Sequence, residues 1–153
     1  MEKTLKVLAI KNGTVIDHIP AGKALRIINI LKLQNFEEVI TIGKNLPSKT
    51  HGKKDLIKIE NLELNSGQVN QVALIAPLAK INIIKNYQVI KKFKVAVPDI
   101  LTDIITCPNP KCITNKEQGG TKFLTIFKNN KFQLKCHHCE RLFSQEEIYD
   151  YLA

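Results

Sequence analysis

The chain has 153 residues, of which 44% are hydrophobic and 24% are charged, a composition typical of a folded soluble protein. No apolar run approaches the roughly 18 residues that a transmembrane helix needs, and the stretch from Met1 to Lys6 lacks the pattern of a secretory signal. The composition therefore argues against a membrane or secreted protein and predicts a cytoplasmic one.

The net charge of +9 is carried by the first part of the chain. Residues 1–96 contain 16 Lys or Arg and 7 Asp or Glu, whereas residues 97–153 contain 7 of each. Such an excess is found on solvated lysine-rich surfaces, and it also favours an anionic ligand. Only Arg26 and Arg141 are arginines. Because specific reading of duplex bases depends on bidentate arginine contacts, this composition argues against a DNA-reading protein.

Strands and helices alternate in the first part of the chain. Apolar residues from Ala24 to Leu31 recur at helical spacing after Pro20, which suits the first turn of a helix. Ser66 is a candidate N-cap for a second helix, which Pro77 helps to end. The predicted elements are a strand over 5–10, a turn at 11–13, an extended piece over 14–17, a helix over 21–33, a strand over 38–43, a loop over 45–52, a strand over 54–60, a helix over 66–75, and strands over 80–85 and 87–95.

This order predicts an α+β fold, a ferredoxin-like βαββαβ sandwich with an extra strand. In such a fold the helices cover one face of the sheet, and the other face is open or binds a ligand. The pattern breaks at Val97-Pro98, and all four cysteines follow this point. We therefore predict a first domain over residues 1–96, a linker over 97–101 and a second domain over 102–153.

The second domain resembles a zinc ribbon with a helical tail. Two strand-like runs over 122–127 and 131–136 are joined by a Lys-Asn-Asn turn. Ser144 and Glu147 have the spacing of a capping box, which predicts a C-terminal helix that ends near Leu152.

Four cysteines in two close pairs are the strongest chemical signal in the sequence. Cys107-x4-Cys112 and Cys136-x2-Cys139 are separated by 23 residues, and each pair spans a tight turn. Thiolates from two such turns complete a tetrahedron around zinc and close the site to water. The spacing therefore predicts one structural Zn²⁺ per chain, which supplies much of the folding free energy of a domain with a thin core.

Other readings of the cysteines remain open at this point. The thiols could form a redox pair, or they could be buried without a ligand. His137 and His138 lie inside the second pair and could replace a thiol, although four cysteines already fill the coordination shell.

The sequence contains no Gly-rich phosphate loop, GxSxG or HExxH motif, so we expect a binding protein without catalytic residues. Lysines in the first domain could hold an anion. Lys54 and Lys58 share one strand face, and Lys91 and Lys92 lie near the end of the last strand. His18, beside Asp17, lies where the first extended segment meets the helix, and helix N-termini attract phosphate. Each of these residues could equally be a solvated surface residue.

Several segments resemble the regulatory chains of aspartate carbamoyltransferase. They are the runs Lys11-Asn-Gly-Thr-Val-Ile-Asp-His-Ile-Pro-Ala21, Ile40-Thr-Ile-Gly-Lys-Asn-Leu-Pro-Ser48 and Lys53-Lys-Asp-Leu-Ile-Lys-Ile-Glu-Asn61, the pair Asn86-Tyr87 with a following lysine pair, and the cysteine-bearing tail. The resemblance covers nearly the whole chain in order and without large gaps.

This resemblance implies a non-catalytic subunit with an allosteric nucleotide-binding domain and a zinc domain that contacts the catalytic chain. Regulatory chains of that family pair through their N-terminal domains, and the dimers bridge catalytic trimers. CTP and UTP would inhibit the partner enzyme and ATP would activate it, so the assembly would control the first committed steps of pyrimidine biosynthesis.

The resemblance also implies roles for individual residues. Those that would surround the base and ribose are Val7, Ala9, Ile10, Asp17, Lys58, Tyr87 and Val89. His18, Asn82 and Lys92 would face the triphosphate, with Lys54 close by and available to a second nucleotide. Leu8 lies in the pocket-lining segment, where a polar or acidic residue would be unsurprising.

Two competing functions follow from other features. A pI near 9.4 and the cysteine unit are compatible with a zinc-ribbon nucleic-acid-binding protein, but the cysteine-bearing part is neutral and its lysines have no clustered stacking aromatics. A thiol oxidoreductase that uses Cys136 and Cys139 would have to coexist with the other two cysteines.

Overall fold

The computed structural model describes residues 9–49, 52–129 and 131–152. The chain divides into two compact units, the first ending at Ala96 and the second beginning at Val97. Among the described residues, neither α-helix is long and apolar enough to cross a lipid bilayer.

The first unit is a five-stranded antiparallel sheet with two helices, and it confirms the predicted α+β class. Its elements are β1 Gly13–Pro20, α1 Ala24–Ile30, β2 Ile40–Ser48, β3 Gly52–Glu60, α2 Ser66–Ile75, β4 Lys80–Lys85 and β5 Gln88–Lys94. The strand order β2-β3-β1-β4-β5 is the ferredoxin-like order, with β5 added beside β4.

The two faces of this sheet have different chemistry. Ile16, Ile57 and Ile81 are fully buried and, by strand alternation, share one face. The helices cover that face, since α1 contacts both α2 and β3. The apolar side chains buried between this face and the helices form the core of the unit. We call the opposite side, which carries Val15 and its cross-strand neighbours, the open face.

Asp55 ties the start of α1 to the sheet. Its fully buried carboxylate accepts hydrogen bonds from the backbone N–H groups of Gly22 at 2.9 Å, Ala24 at 3.1 Å and Asn45 at 3.0 Å. A carboxylate at this position accepts hydrogen bonds from N–H groups that have no partner within the helix. Its negative charge also interacts favourably with the positive end of the helix dipole. Asp55 therefore already accepts the N–H groups at the N-terminus of α1. The phosphate site that the sequence suggested at this helix end is not free to bind phosphate.

Several element boundaries differ from the sequence-based predictions. The helix predicted over 21–33 is α1, Ala24–Ile30, because a turn with Gly22 at φ 88° precedes it and Lys32, at φ 57°, has left the helical conformation. The loop predicted over 45–52 is in part strand, because β2 reaches Ser48 as an edge strand, where Pro47 is tolerated. The N-cap of α2 is Asn65, one residue before Ser66, and Asn65 and Gln68 form a full capping box. The strand predicted over 5–10 falls mostly outside the described residues.

The second unit is a four-stranded antiparallel sheet in the order β6-β7-β8-β9. Its elements are β6 Ile100–Thr102, a 3₁₀ turn Ile113–Asn115, β7 Lys122–Lys128, β8 Lys131–Cys136, β9 Leu142–Ser144 and a second 3₁₀ turn Tyr149–Tyr151. Leu101, Phe123 and Leu134 are almost fully buried and form its core. Part of the segment predicted as a linker is thus the edge strand β6.

The end of the chain is less helical than the capping box suggested. Ser144 N donates to Glu147 Oε2 at 2.6 Å and Glu147 N donates to Ser144 Oγ at 3.2 Å, so the box itself forms. The only helical turn that follows among residues 145–152 is the 3₁₀ turn Tyr149–Tyr151. Leu152 forms an antiparallel bridge with Ile105, and this extended pairing ends the helical conformation.

Candidate functional site

The four cysteine thiols of the second unit converge on one point. Cys107 and Cys112 lie in the loop after β6, Cys136 ends β8, and Cys139 lies in the turn before β9. Their Sγ atoms all lie within 4.8 Å of one another. Three of the four residues are buried, and Cys139 is half-buried.

The spacing of the sulfur atoms matches a metal centre. Cys107 Sγ and Cys139 Sγ are 3.7 Å apart, and Cys112 Sγ and Cys136 Sγ are 3.8 Å apart. A tetrahedral thiolate site with metal–sulfur bonds of about 2.3 Å has sulfur–sulfur edges of about 3.8 Å, whereas a disulfide requires about 2.05 Å. All four thiols are free, so the donor set suits a tetrahedral, thiophilic metal and does not fit a disulfide pair.

The thiols differ in their protonation. Burial raises the pKa of Cys107 and of Cys136. Burial also acts on Cys139, but hydrogen bonds from the Arg141 N–H and from the side chain of Asn109 outweigh it and lower the pKa of Cys139 to about 7. Because metal ligation requires thiolates, binding a cation here releases protons from the buried pair.

The open face of the first unit carries a row of polar residues across the sheet. Lys58 on β3, Val15 on β1, Asn82 on β4 and Lys92 on β5 pair in register, so their side chains point to the same side. Asn82 Oδ1 is buried and has no hydrogen-bond partner among the described residues. A buried polar atom of this kind is a natural contact for a ligand.

A bulge in β1 places an acidic group beside this row. The register shifts by one residue between Ile16 and Ile19, and His18 has a φ of 58°. Asp17 stays on the open face, where its Oδ1 is 2.9 Å from Lys54 Nζ and accepts the His18 N–H at 2.7 Å. His18 Nδ1 is 3.6 Å from Asp17 Oδ2.

The ionisable groups of this cluster influence one another. Burial favours the neutral form of Asp17, yet the hydrogen bonds from Lys54 and from the His18 N–H, with the charges of both residues, lower the pKa of Asp17 below its usual value. Burial lowers the pKa of Lys58, and the charge of Asp17 opposes that change. The Lys58 ammonium is therefore incompletely solvated, a condition that a bound anion would relieve.

A second bulge, in β5, brings Val89 and Lys92 to the same face. Lys92 pairs with Asn82, but the register shifts and Val89 pairs with Ile84. Val89 and Lys92 are three residues apart, and in a regular strand their side chains would point to opposite sides of the sheet. Lys91, proposed from the sequence as a partner of Lys92, instead points to the other side, where its Nζ lies 5.3 Å from the centre of the Phe93 ring.

Apolar residues collect at the far end of the open face. Ile10 packs with Val15 and Ile84 in a buried cluster. Asn86 and Tyr87, both with positive φ, form the two-residue turn between β4 and β5, and the Tyr87 N–H donates to the Lys11 carbonyl at 2.9 Å. Ala9 is exposed, and Val7 and Leu8 lie outside the described residues. The face is thus apolar at one end and charged at the other.

A cleft of about 480 Å³ borders the charged end. It is lined by His18, Ile19, Pro20, Ala21, Lys53, Lys54 and Leu78. Lys53 and Leu78 were not singled out from the sequence. A lysine pair at positions 53 and 54 gave a local signal, but the position of Leu78 depends on the fold and no sequence pattern marks it.

Comparison with known proteins gives matches to both units. The family described as aspartate carbamoyltransferase regulatory chain, allosteric domain, matches residues 5–96, and the corresponding metal binding domain matches residues 99–149. The aspartate carbamoyltransferase regulatory chain of Pyrococcus horikoshii is 52% identical over 147 residues, which cover 94% of this chain and 95% of that protein. The protein of the same name from Pyrococcus abyssi is 50% identical over 146 residues, covering 94% and 95%. That of Photobacterium profundum is 48% identical over 147 residues, which cover 96% of each chain.

Proposed function

The chain belongs to the family of aspartate carbamoyltransferase regulatory chains, and from this premise we propose that its open face binds CTP, UTP and ATP. It is a regulatory subunit with an allosteric and a metal-binding domain, and catalysis belongs to a partner chain. CTP and UTP inhibit the partner and ATP activates it. The chain thereby controls the early, committed steps of pyrimidine biosynthesis.

The observation that carries this proposal is that the open face is apolar at one end and charged at the other. The apolar end, near Ile10, Tyr87 and Val89, suits a base and ribose. The other end carries Lys58 and Lys92 in one row, with Lys54 beside Asp17. Ammonium groups at such positions suit phosphate oxygens.

Individual roles follow from these positions. Val7, Ala9, Ile10, Asp17, Lys58, Tyr87 and Val89 surround the base and ribose in this proposal. His18, Asn82 and Lys92 contact the triphosphate. Lys54, which also borders the cleft of about 480 Å³, is available to a second nucleotide.

The metal of the second unit is Zn²⁺, one ion per chain, held by Cys107, Cys112, Cys136 and Cys139. When bound, zinc supplies a structural cross-link between the two cysteine loops and no open coordination position for chemistry. The sulfur–sulfur spacing and the four free thiols, three of them buried, support this assignment. Four thiols that are not joined to each other also suit the reducing cytoplasm, where we place the protein.

Regulation follows from thermodynamic linkage. The chain pairs with a second copy through its first unit and contacts the catalytic chain through its second unit. A nucleotide changes activity only if it binds with different affinity to two states of the assembly. Coupling of roughly 1–3 kcal/mol is enough for a several-fold change.

Two features of the second unit argue against a nucleic-acid-binding protein and against a thiol oxidoreductase. Residues 97–153 contain equal numbers of acidic and basic residues, so the second unit has no excess charge for a nucleic acid backbone. The four thiols form one cluster, so Cys136 and Cys139 are not an isolated redox pair.

Calorimetric titration of the zinc-loaded chain with CTP, followed by ATP in competition, tests the proposal. We expect saturable binding near one nucleotide per chain and mutual competition. Binding of a random oligonucleotide with steep salt dependence, and of neither nucleotide, would overturn it.

Sedimentation with the catalytic chain tests the second half of the proposal. Chelation of zinc should abolish association, because the contact surface lies on the metal-dependent unit. An intact complex after complete removal of zinc would contradict this.

A further inference from the structure

Thr114 lies beside the cysteine cluster and contacts one of its sulfur atoms. The Thr114 Oγ1 atom is 3.1 Å from Cys112 Sγ, which is a hydrogen-bond distance, and this contact is partly buried. Cys112 itself is only 1% exposed, so its sulfur has little access to water. The threonine hydroxyl therefore supplies a hydrogen bond that solvent could not readily supply at this sulfur.

The direction of this hydrogen bond follows from the chemistry of the site. A free thiol could donate to Thr114 Oγ1, or it could accept from the hydroxyl. A cysteine that binds a metal is a thiolate and has lost its proton, so only the hydroxyl can then donate. Metal binding at Cys112 thus selects the orientation of the Thr114 hydroxyl in which its hydrogen points to the sulfur.

The short turn after Cys112 holds Thr114 in place. Cys112 is the N-cap of the 3₁₀ turn Ile113–Asn115, and its carbonyl accepts the Asn115 N–H at 3.0 Å. The Asn115 side chain donates to the Cys107 carbonyl at 2.9 Å, which ties this turn to the other cysteine of the same loop. Because threonine is branched at Cβ, its χ1 angle has few accessible values. The backbone and the side chain therefore both restrict where the hydroxyl lies.

We propose that Thr114 is a positioning residue of the metal centre, whose hydroxyl donates a hydrogen bond to the Cys112 thiolate. Groups that donate to ligand atoms orient those atoms and tune their interaction with the metal. Thr114 is not itself a metal ligand and acts through Cys112. The inference rests on the metal centre of the proposed function and does not depend on nucleotide binding.

Three threonine variants of the full chain test this inference, each loaded with Co²⁺ in place of Zn²⁺. Thr114→Val removes the hydroxyl and keeps the branched shape of the side chain, whereas Thr114→Ser keeps the hydroxyl. Thr125→Val is the matched control, because the Thr125 hydroxyl donates to the Pro98 carbonyl at 2.6 Å and not to a sulfur. The thiolate-to-cobalt charge-transfer absorption reports the electronic state of the sulfurs, and chelator competition measures the zinc affinity.

We expect Thr114→Val to shift the charge-transfer bands to longer wavelength, because a thiolate that has lost a hydrogen bond gives up an electron more easily. The zinc affinity of this variant should fall about tenfold. Thr114→Ser and Thr125→Val should both keep the spectrum and the zinc affinity of the wild-type chain.

A wild-type spectrum for Thr114→Val would overturn the inference even if zinc affinity fell, since the residue would then act on loop stability alone. Equal spectral shifts in Thr114→Val and in either of the other two variants would also contradict it. Failure of the wild-type chain to bind Co²⁺ or Zn²⁺ would instead overturn the metal centre of the proposed function. The wild-type titration separates that outcome from the others.

Discussion

The two units of this chain reach stability by different means. The first buries isoleucines of a five-stranded sheet beneath two helices, so apolar packing forms its core without a metal cluster among its described residues. The second has a four-stranded sheet and two cysteine pairs, distant in sequence, whose thiols meet at one cluster. The contrast predicts that apolar burial stabilises the first unit, whereas metal binding at the cysteine cluster contributes much of the stability of the second.

Metal removal should have the largest effect. It is also the most direct test of whether the two units are stabilised in different ways. Structural zinc contributes on the order of 10 kcal/mol of apparent free energy to small domains. We expect a chelator to unfold the second unit and to leave the first folded, as measured by amide hydrogen exchange in both sheets. Unchanged protection of β7 and β8 after chelation would show that the second core is sufficient without metal.

Replacement of Asp55 should have the next largest effect, and it acts on the first unit alone. Asp55→Ala removes the acceptor for the backbone N–H groups of Gly22, Ala24 and Asn45. Leaving buried donors unsatisfied should lower the free energy of unfolding by about 3 kcal/mol. Denaturant unfolding of the zinc-loaded chain measures this loss.

A control variant shows whether the stability loss in Asp55→Ala is specific to the buried carboxylate and confined to the first unit. Glu63→Ala removes an exposed carboxylate from the same unit and should change stability little. The cobalt spectrum of the second unit should be unaltered in both variants. If Asp55→Ala perturbed that spectrum, the two units would not be independent in stability.

Lysine substitutions on the open face should change ligand affinity without changing either fold. Lys58→Ala and Lys92→Ala each remove a charge-assisted hydrogen bond, which is worth about 1.5–3 kcal/mol, so CTP affinity should fall about tenfold or more. Lys91→Ala is the matched control because Lys91 points to the other side of β5. Equal losses for all three variants, measured by calorimetry, would indicate non-specific attraction to a basic unit.

The smallest expected effect concerns acid stability. The pKa of Asp17 is lowered in the folded chain relative to its usual value of 3.8. Its contribution to stability is therefore fully present above that value and is lost as the pH falls through the lower, folded pKa. Asp17→Asn should be slightly less stable than wild type near neutral pH, and the difference should vanish in acid. A difference that grew on acidification would contradict the sign of this coupling.

Much of the first unit could be predicted because its signals are local. Alternating apolar residues predicted β3, and Ser66 with Pro77 predicted the bounds of α2, whose N-cap lies one residue earlier, at Asn65. The cysteine cluster could be predicted for a similar reason, since tight cysteine spacing restricts where thiols can point. The membership of the chain in its family confirms the resemblance noted from its sequence segments.

Other features depend on long-range pairing and left no local signal. The bulge that brings Val89 and Lys92 to one face is set by the register of β5 against β4. Asp55 lies on the same strand face as Ile57 and Ile59, and nothing in that pattern indicates that it accepts backbone N–H groups from the start of α1 and from β2. The short α1 likewise reflects positive φ angles at Gly22 and Lys32 on either side of it, which the helical spacing of apolar residues did not indicate.

Metal binding at the thiol cluster also changes the net charge of the second unit. A divalent ion held by four thiolates carries a net charge of about −2, while the remaining residues from 97 to 153 sum to zero. Loading with metal therefore makes the second unit acidic and leaves the +9 of the first unchanged. The loaded chain should elute earlier from a cation exchanger than the metal-free chain, so occupancy of the metal centre can be followed by ion-exchange chromatography.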